Sequence, residues 1–154
     1  MTRQLIIVLA FLSVSAAAAA PAHALLPEPY VGLGTRTFGL PSGSAGWALS
    51  LEGGADAILS DMGAGIRVDF PFKSLGNPLI AAQFRYSILK IPFIRILAGA
   101  EGGVIKGSKS MDGTFGAWLG ARASLGLPYV NLNLGYSYAG KAELFSVITI
   151  GMSF

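Results

Sequence analysis

Apolar and polar residues alternate along most of this chain, and the last eight, "VITIGMSF", show it plainly. Ile148, Ile150, Met152 and Phe154 share one parity, while Thr149, Gly151 and Ser153 share the other. A period of two places successive side chains on opposite faces of a β-strand. Eight segments carry this pattern, over 30–38, 46–55, 61–70, 79–88, 93–104, 114–125, 129–138 and 144–154.

In each segment one parity is apolar and the other small, polar or charged. Over 61–70, Met62, Ala64, Ile66, Val68 and Phe70 oppose Asp61, Gly63, Gly65, Arg67 and Asp69. Over 129–138, Val130, Leu132, Leu134, Tyr136 and Tyr138 oppose Asn131, Asn133, Gly135 and Ser137. The linkers "GLPSGS", "SLGNP", "KIP", "KGSKSMDG", "GLP" and "AGKAE" are rich in turn formers. Short links between consecutive strands predict an antiparallel meander, and eight such strands can close into an up-and-down barrel. The most apolar stretch, "LIAAQFRYSILKIPFIRILAGA", contains Arg85, Lys90, Pro92 and Arg95, which argues against a membrane-spanning helix.

Alternation alone leaves open which face is outside. A soluble, lipocalin-like carrier of apolar ligands would hold the apolar parity within, and a membrane barrel would turn it toward lipid. The strands' polar parity holds Arg36, Arg67, Arg85, Arg95 and Arg122 but no lysine, because Lys73, Lys90, Lys106, Lys109 and Lys141 all fall in connections. An enclosed polar space favours arginine, whose planar fork grips carboxylates and is weakly hydrated. Glu52, Asp61, Asp69 and Glu101 share that parity and give near charge balance, as a sealed interior demands. These nine residues are the expected lumen ion-pair network. Glycines 32, 34, 63, 65, 99, 116, 120, 135 and 151 lie on the same parity. They fit the narrow interior of an eight-stranded barrel, where long arginines need small neighbours.

Aromatic residues on the apolar parity gather near strand ends. Trp47, Phe70, Phe115, Tyr136 and Tyr138 lie toward one rim and Phe154 at the other, with Phe38, Phe93 and Tyr129 at strand limits. Two such girdles mark the interfaces of a membrane barrel. The fold expected is therefore all-β: an eight-stranded antiparallel up-and-down transmembrane barrel with a polar, ion-paired interior.

Composition agrees. Only 12% of the 154 residues are charged while 53% are hydrophobic, and 21 are glycine. Residues 1–24 read as a cleavable signal peptide: Arg3, an apolar run from Leu5 to Val14, then "AAAAAPAHA" ending in an Ala22-His23-Ala24 cleavage pattern. The barrel would then occupy 25–154. Cleavage removes Arg3 and His23, leaving ten of the 11 basic residues beside eight acidic ones and no histidine. Near-zero charge gives no argument for nucleic-acid binding, and the absence of cysteine leaves no thiol chemistry.

The end of the chain resembles the C-terminal strand of bacterial outer-membrane barrels. There a terminal phenylalanine, with apolar residues at alternating preceding positions, is the signal read by the barrel-assembly machinery. The matching residues are Phe154, Met152, Ile150 and Ile148. The architecture is similar to that of the small eight-stranded class, such as the membrane domain of outer membrane protein A, or outer membrane protein X. The resemblance implies a Gram-negative outer-membrane location, a monomer, and lipids, lipopolysaccharide and the assembly machinery as partners.

Catalytic chemistry finds little support. Some small barrels of this class are lipid A acylases or deacylases that use histidine, which the processed chain would lack. Each strand carboxylate has an arginine on its own face, which favours ion pairing over acid–base work. Asp112 stands alone, "GLGTRTFG" lies in a strand rather than before a helix, and no cofactor or metal site is expected. A non-enzymatic envelope protein is the leading expectation, with Lys73, Lys106, Lys109 and Lys141 on the outer rim facing lipopolysaccharide phosphates. An adhesion or host-interaction barrel is the alternative, against which the shortness of the loops counts.

Overall fold

A computed structural model describes residues 27–40, 46–59, 61–73, 78–106 and 111–154. The signal-peptide reading of 1–24 lies outside the described residues. Eight strands follow in order: β1 (Glu28–Leu40), β2 (Gly46–Leu59), β3 (Met62–Pro71), β4 (Leu79–Ile91), β5 (Ile94–Lys106), β6 (Met111–Ser124), β7 (Pro128–Tyr138) and β8 (Ala142–Ser153). Each pairs antiparallel with its neighbour in sequence, and β1 also pairs with β8, which closes the barrel.

The start of β1, the end of β8 and the short β2–β3, β4–β5 and β6–β7 connections share one end of the barrel, here the turn end. The other four connections form the loop end. At about 3.3 Å per residue and a tilt of about 40°, strands of this length cross an apolar band of about 25 Å.

Several strands outrun their sequence pattern. β2 continues to Leu59 rather than stopping near Ala55, β4 reaches Ile91, β5 reaches Lys106 and β6 begins at Met111. In a closed sheet every strand has a hydrogen-bonding partner on both sides. Backbone pairing therefore persists where side-chain alternation fades, as in "GGADAIL". One consequence is a correction: Lys90 and Lys106, expected in connections, are strand residues.

The parity assignment is resolved by burial. Leu33, Leu51, Ile66, Ile80, Phe84, Leu119, Leu132, Ile148 and Ile150 are exposed on the outer surface, whereas Arg36, Ser50, Glu52, Arg67, Asp69, Gln83, Arg85, Arg122 and Asn131 are buried within. The barrel is apolar outside and polar inside. A calyx with an apolar interior is thereby excluded.

Two aromatic placements differ from the sequence expectation. Tyr129 points inward and is buried, because it shares the parity of Asn131 rather than of Val130. Phe38 packs against an interior apolar cluster of Leu97, Trp118, Phe145 and Val147. Neither belongs to an outer girdle.

Candidate functional site

Four arginines and four carboxylates are buried in the lumen: Arg36, Arg67, Arg85 and Arg122, with Glu52, Asp56, Asp69 and Glu101. Formal charge cancels, which limits the cost of enclosing so many ions. They form two storeys.

The storey nearer the loop end is a closed ring. Arg36 Nη1 lies 3.0 Å from Asp69 Oδ2 and 2.9 Å from Glu101 Oε1. Arg67 reaches the same two carboxylates, with Nε 3.2 Å from Asp69 Oδ2 and Nη2 2.5 Å from Glu101 Oε2. Ser50, the cross-strand partner of Asp69, donates to Oδ1 at 2.7 Å. Arg67 and Asp69 share a face of β3 two residues apart, while Arg36 enters from β1 and Glu101 from β5. Small residues on the strands between, Ala48, Ser50 and Ala81, leave room for these long side chains. The Phe145 ring lies under Arg36, 4.1 Å from the guanidinium carbon.

The storey nearer the turn end is built differently. Asp56 alone serves two arginines: Arg122 donates to its Oδ2, and Arg85 Nε lies 3.7 Å from its Oδ1. Tyrosine does much of the remaining work. Arg85 donates to the Tyr30 hydroxyl and stacks 4.1 Å from the Tyr30 ring, and Arg122 stacks 4.2 Å from Tyr129. The two rings meet edge to face at 6.4 Å, a favoured geometry for aromatic pairs. Tyr129 donates to Glu52 Oε1 at 3.1 Å. Space for the tyrosines comes from glycine: a Cβ at Gly32 or at Gly151 would sit 2.5 Å from the Tyr129 hydroxyl.

The structure thus gathers seven of the nine residues expected in the lumen into its interior. Two lie elsewhere. Asp61 is half-exposed at the turn end, 2.6 Å from Lys90, and Arg95 pairs with Glu28 at 3.0 Å at the mouth. A bulge between Ser87 and Leu89 shifts the phase of β4 and brings Lys90 opposite Arg95. Glu52, though directly opposite Arg67 in the β2–β3 register, forms no ion pair among the described residues and is held by Tyr129 instead. Asp56 was missed because the β2 pattern fades after Ala55. It has the parity of Glu52, so carrying the alternation onward would have found it.

Ile148, Ile150, Met152 and Phe154 all project outward and are exposed. The Phe154 amide donates to the Pro29 carbonyl at 2.8 Å, tying the end of the chain to β1. Lys73 and Lys141 are exposed at the loop end, Lys106 is the last residue of β5 at that end, and Lys109 lies outside the described residues. No group of three metal-ligating side chains occurs among the described residues.

Solved structures share this architecture. Neisserial surface protein A superposes with a TM-score of 0.55 and 12% identity, over 82% of this chain and 95% of that one. Ail, the attachment invasion locus protein of Yersinia pestis, gives 0.51 and 9%, over 84% and 100%. The chain has the fold of the small eight-stranded outer-membrane β-barrels. No protein-family model and no curated protein matches it.

Proposed function

We propose that the protein is a non-enzymatic integral barrel of a Gram-negative outer membrane, with a structural role in the envelope. The observation that carries this reading is the inverted distribution of polarity: an apolar outer surface around an interior of neutralised ion pairs. Such a surface is stable only where lipid covers it. In this reading the turn end faces the periplasm and the loop end the exterior, where Lys73, Lys106, Lys109 and Lys141 meet lipopolysaccharide phosphates. The terminal residues Ile148, Ile150, Met152 and Phe154 present the assembly signal. Three of the four buried carboxylates, Asp56, Asp69 and Glu101, serve as ion-pair partners and Glu52 accepts from Tyr129, which supports a structural rather than catalytic lumen.

Membrane fractionation combined with electrophoresis of boiled and unboiled samples tests the reading. The protein is expected in the outer-membrane fraction, with an unboiled band that migrates differently from the boiled one. Full solubility without detergent would overturn it. An attachment role is a second reading, supported by the likeness to Ail. It requires that cells displaying the protein bind host cells or matrix through the loop end, and unchanged adhesion on expression would remove it.

A further inference from the structure

Among the described residues, four have positive φ, and three of them are glycines: Gly39, Gly126 and Gly140. The fourth is Phe93, at φ 70° in the β4–β5 turn. A bulky side chain in this left-handed region is strained, and glycine is the residue that turns of this kind normally take. Phe93 is also 68% exposed. A strained aromatic with little protein contact gains nothing from water. Its surroundings are apolar as well: Ile91 and Ile94 flank it, and Leu125 and Leu127 of the neighbouring β6–β7 turn are exposed.

The fold extends the outer apolar surface down to these turns. Without the bulge at Ser87/Leu89, the outward series of Ile80, Ala82, Phe84, Tyr86 and Ile88 would next reach Lys90. With it, Leu89 and Ile91 stand opposite Ile96 and Ile94 on the outer face, and Lys90 opposite Arg95. Backbone groups of both turns are paired too. The Phe93 carbonyl accepts from the Ser124 amide at 2.8 Å, the Leu127 carbonyl from the Ser153 amide at 2.8 Å, and the Leu125 amide donates to Pro128 at 3.0 Å. Pairing of this kind is what a water-poor environment requires.

We propose that the β4–β5 and β6–β7 turns are immersed in the phospholipid leaflet at the turn end, with Phe93 as the interfacial anchor. The opposite side of that rim carries Glu28 and Asp61 instead, paired with Arg95 and Lys90. The barrel consequently sits tilted, with its β4–β7 side deeper in the bilayer. The inference rests on the membrane reading proposed above.

The absence of cysteine from the chain permits a direct test. Single cysteines replacing Phe93, Leu127, Leu132 and Lys141 are labelled with a nitroxide and refolded into vesicles of phosphatidylethanolamine and phosphatidylglycerol. Collision with oxygen and with a water-soluble nickel chelate is then measured by electron paramagnetic resonance. Labels at 93 and 127 are expected to be shielded from nickel, approaching the label at 132 in the middle of the outer surface. If they are as accessible as the label at 141, the proposal falls while the membrane reading stands. If the label at 132 is also accessible, the membrane reading itself fails and takes the proposal with it. Phe93→Gly supplies a second readout through its sign. It relieves the strained turn, so a water-exposed Phe93 predicts a higher urea midpoint in vesicles, and a lipid anchor predicts a lower one. A gain in stability overturns the proposal.

Discussion

The two storeys of the lumen bury similar numbers of charges but connect them differently. Near the loop end, Arg36 and Arg67 each touch both Asp69 and Glu101, so every member of the ring has two partners. Near the turn end, Arg85 and Arg122 depend on Asp56 as their one shared carboxylate, with tyrosine faces, the Tyr30 hydroxyl and the Gln83 side-chain oxygen making up the rest. A ring tolerates the loss of one member because each survivor keeps a partner. A shared hub does not. Equal burial of charge therefore does not imply equal dependence on any one residue.

The largest expected effect is at the hub. Asp56→Ala leaves two buried guanidinium groups without a carboxylate and should cost about 3–5 kcal/mol, the usual penalty for breaking a buried pair. Urea unfolding in lipid vesicles, followed by tryptophan fluorescence, measures it. Next comes the surface that encloses both storeys. Ile148→Arg places a charge on the outer face and should cost about 2–4 kcal/mol if the residue lies near the bilayer midplane. The same change at Ser137, on the inward parity, should be milder, and equal effects would contradict the membrane reading. Asp69→Ala should cost less than Asp56→Ala, about 1–3 kcal/mol, because Glu101 continues to serve both arginines. Adding Arg67→Ala to Asp69→Ala should recover part of that loss. If Asp69→Ala proves as costly as Asp56→Ala, the distinction between ring and hub is wrong. A comparable effect is expected at Tyr129→Phe, which keeps the ring under Arg122 and removes only the donor to Glu52. About 1.5–3 kcal/mol is expected, the range for a hydrogen bond to a charged acceptor. A null result there would mean that the hydroxyl is not what holds Glu52.

Much of this arrangement is legible in the sequence. Parity placed Arg67 and Asp69 on one inward face, and the lysine-free strands pointed to an enclosed interior. Which charges meet was not legible, because pairing across the lumen depends on strand stagger. Arg36 reaches Asp69 from β1 across β2, and no local pattern encodes that distance. The bulge in β4 shows the same limit from another side: one extra residue resets the phase, so Lys90 leaves the outward series and stands opposite Arg95. Tyr129 was misread for a simpler reason. At a strand limit, aromatic character suggested a girdle, while the alternation through Asn131 already pointed inward.

The seam between β1 and β8 sets a kinetic condition on the whole molecule. It pairs Tyr30 with Ser153 and Val31 with Met152, residues at opposite ends of the barrel sequence. Contacts so distant along the chain form late, since closing a long loop costs entropy before any reward is gained. Until the seam zips, the sheet has two open edges and an apolar face, the combination most prone to pairing with other chains. Once it is zipped, no edge is left from which strands can peel singly. Opening must then break a full row of backbone hydrogen bonds together, so the barrel's persistence is governed by the rate of that rupture as much as by the depth of its energy minimum.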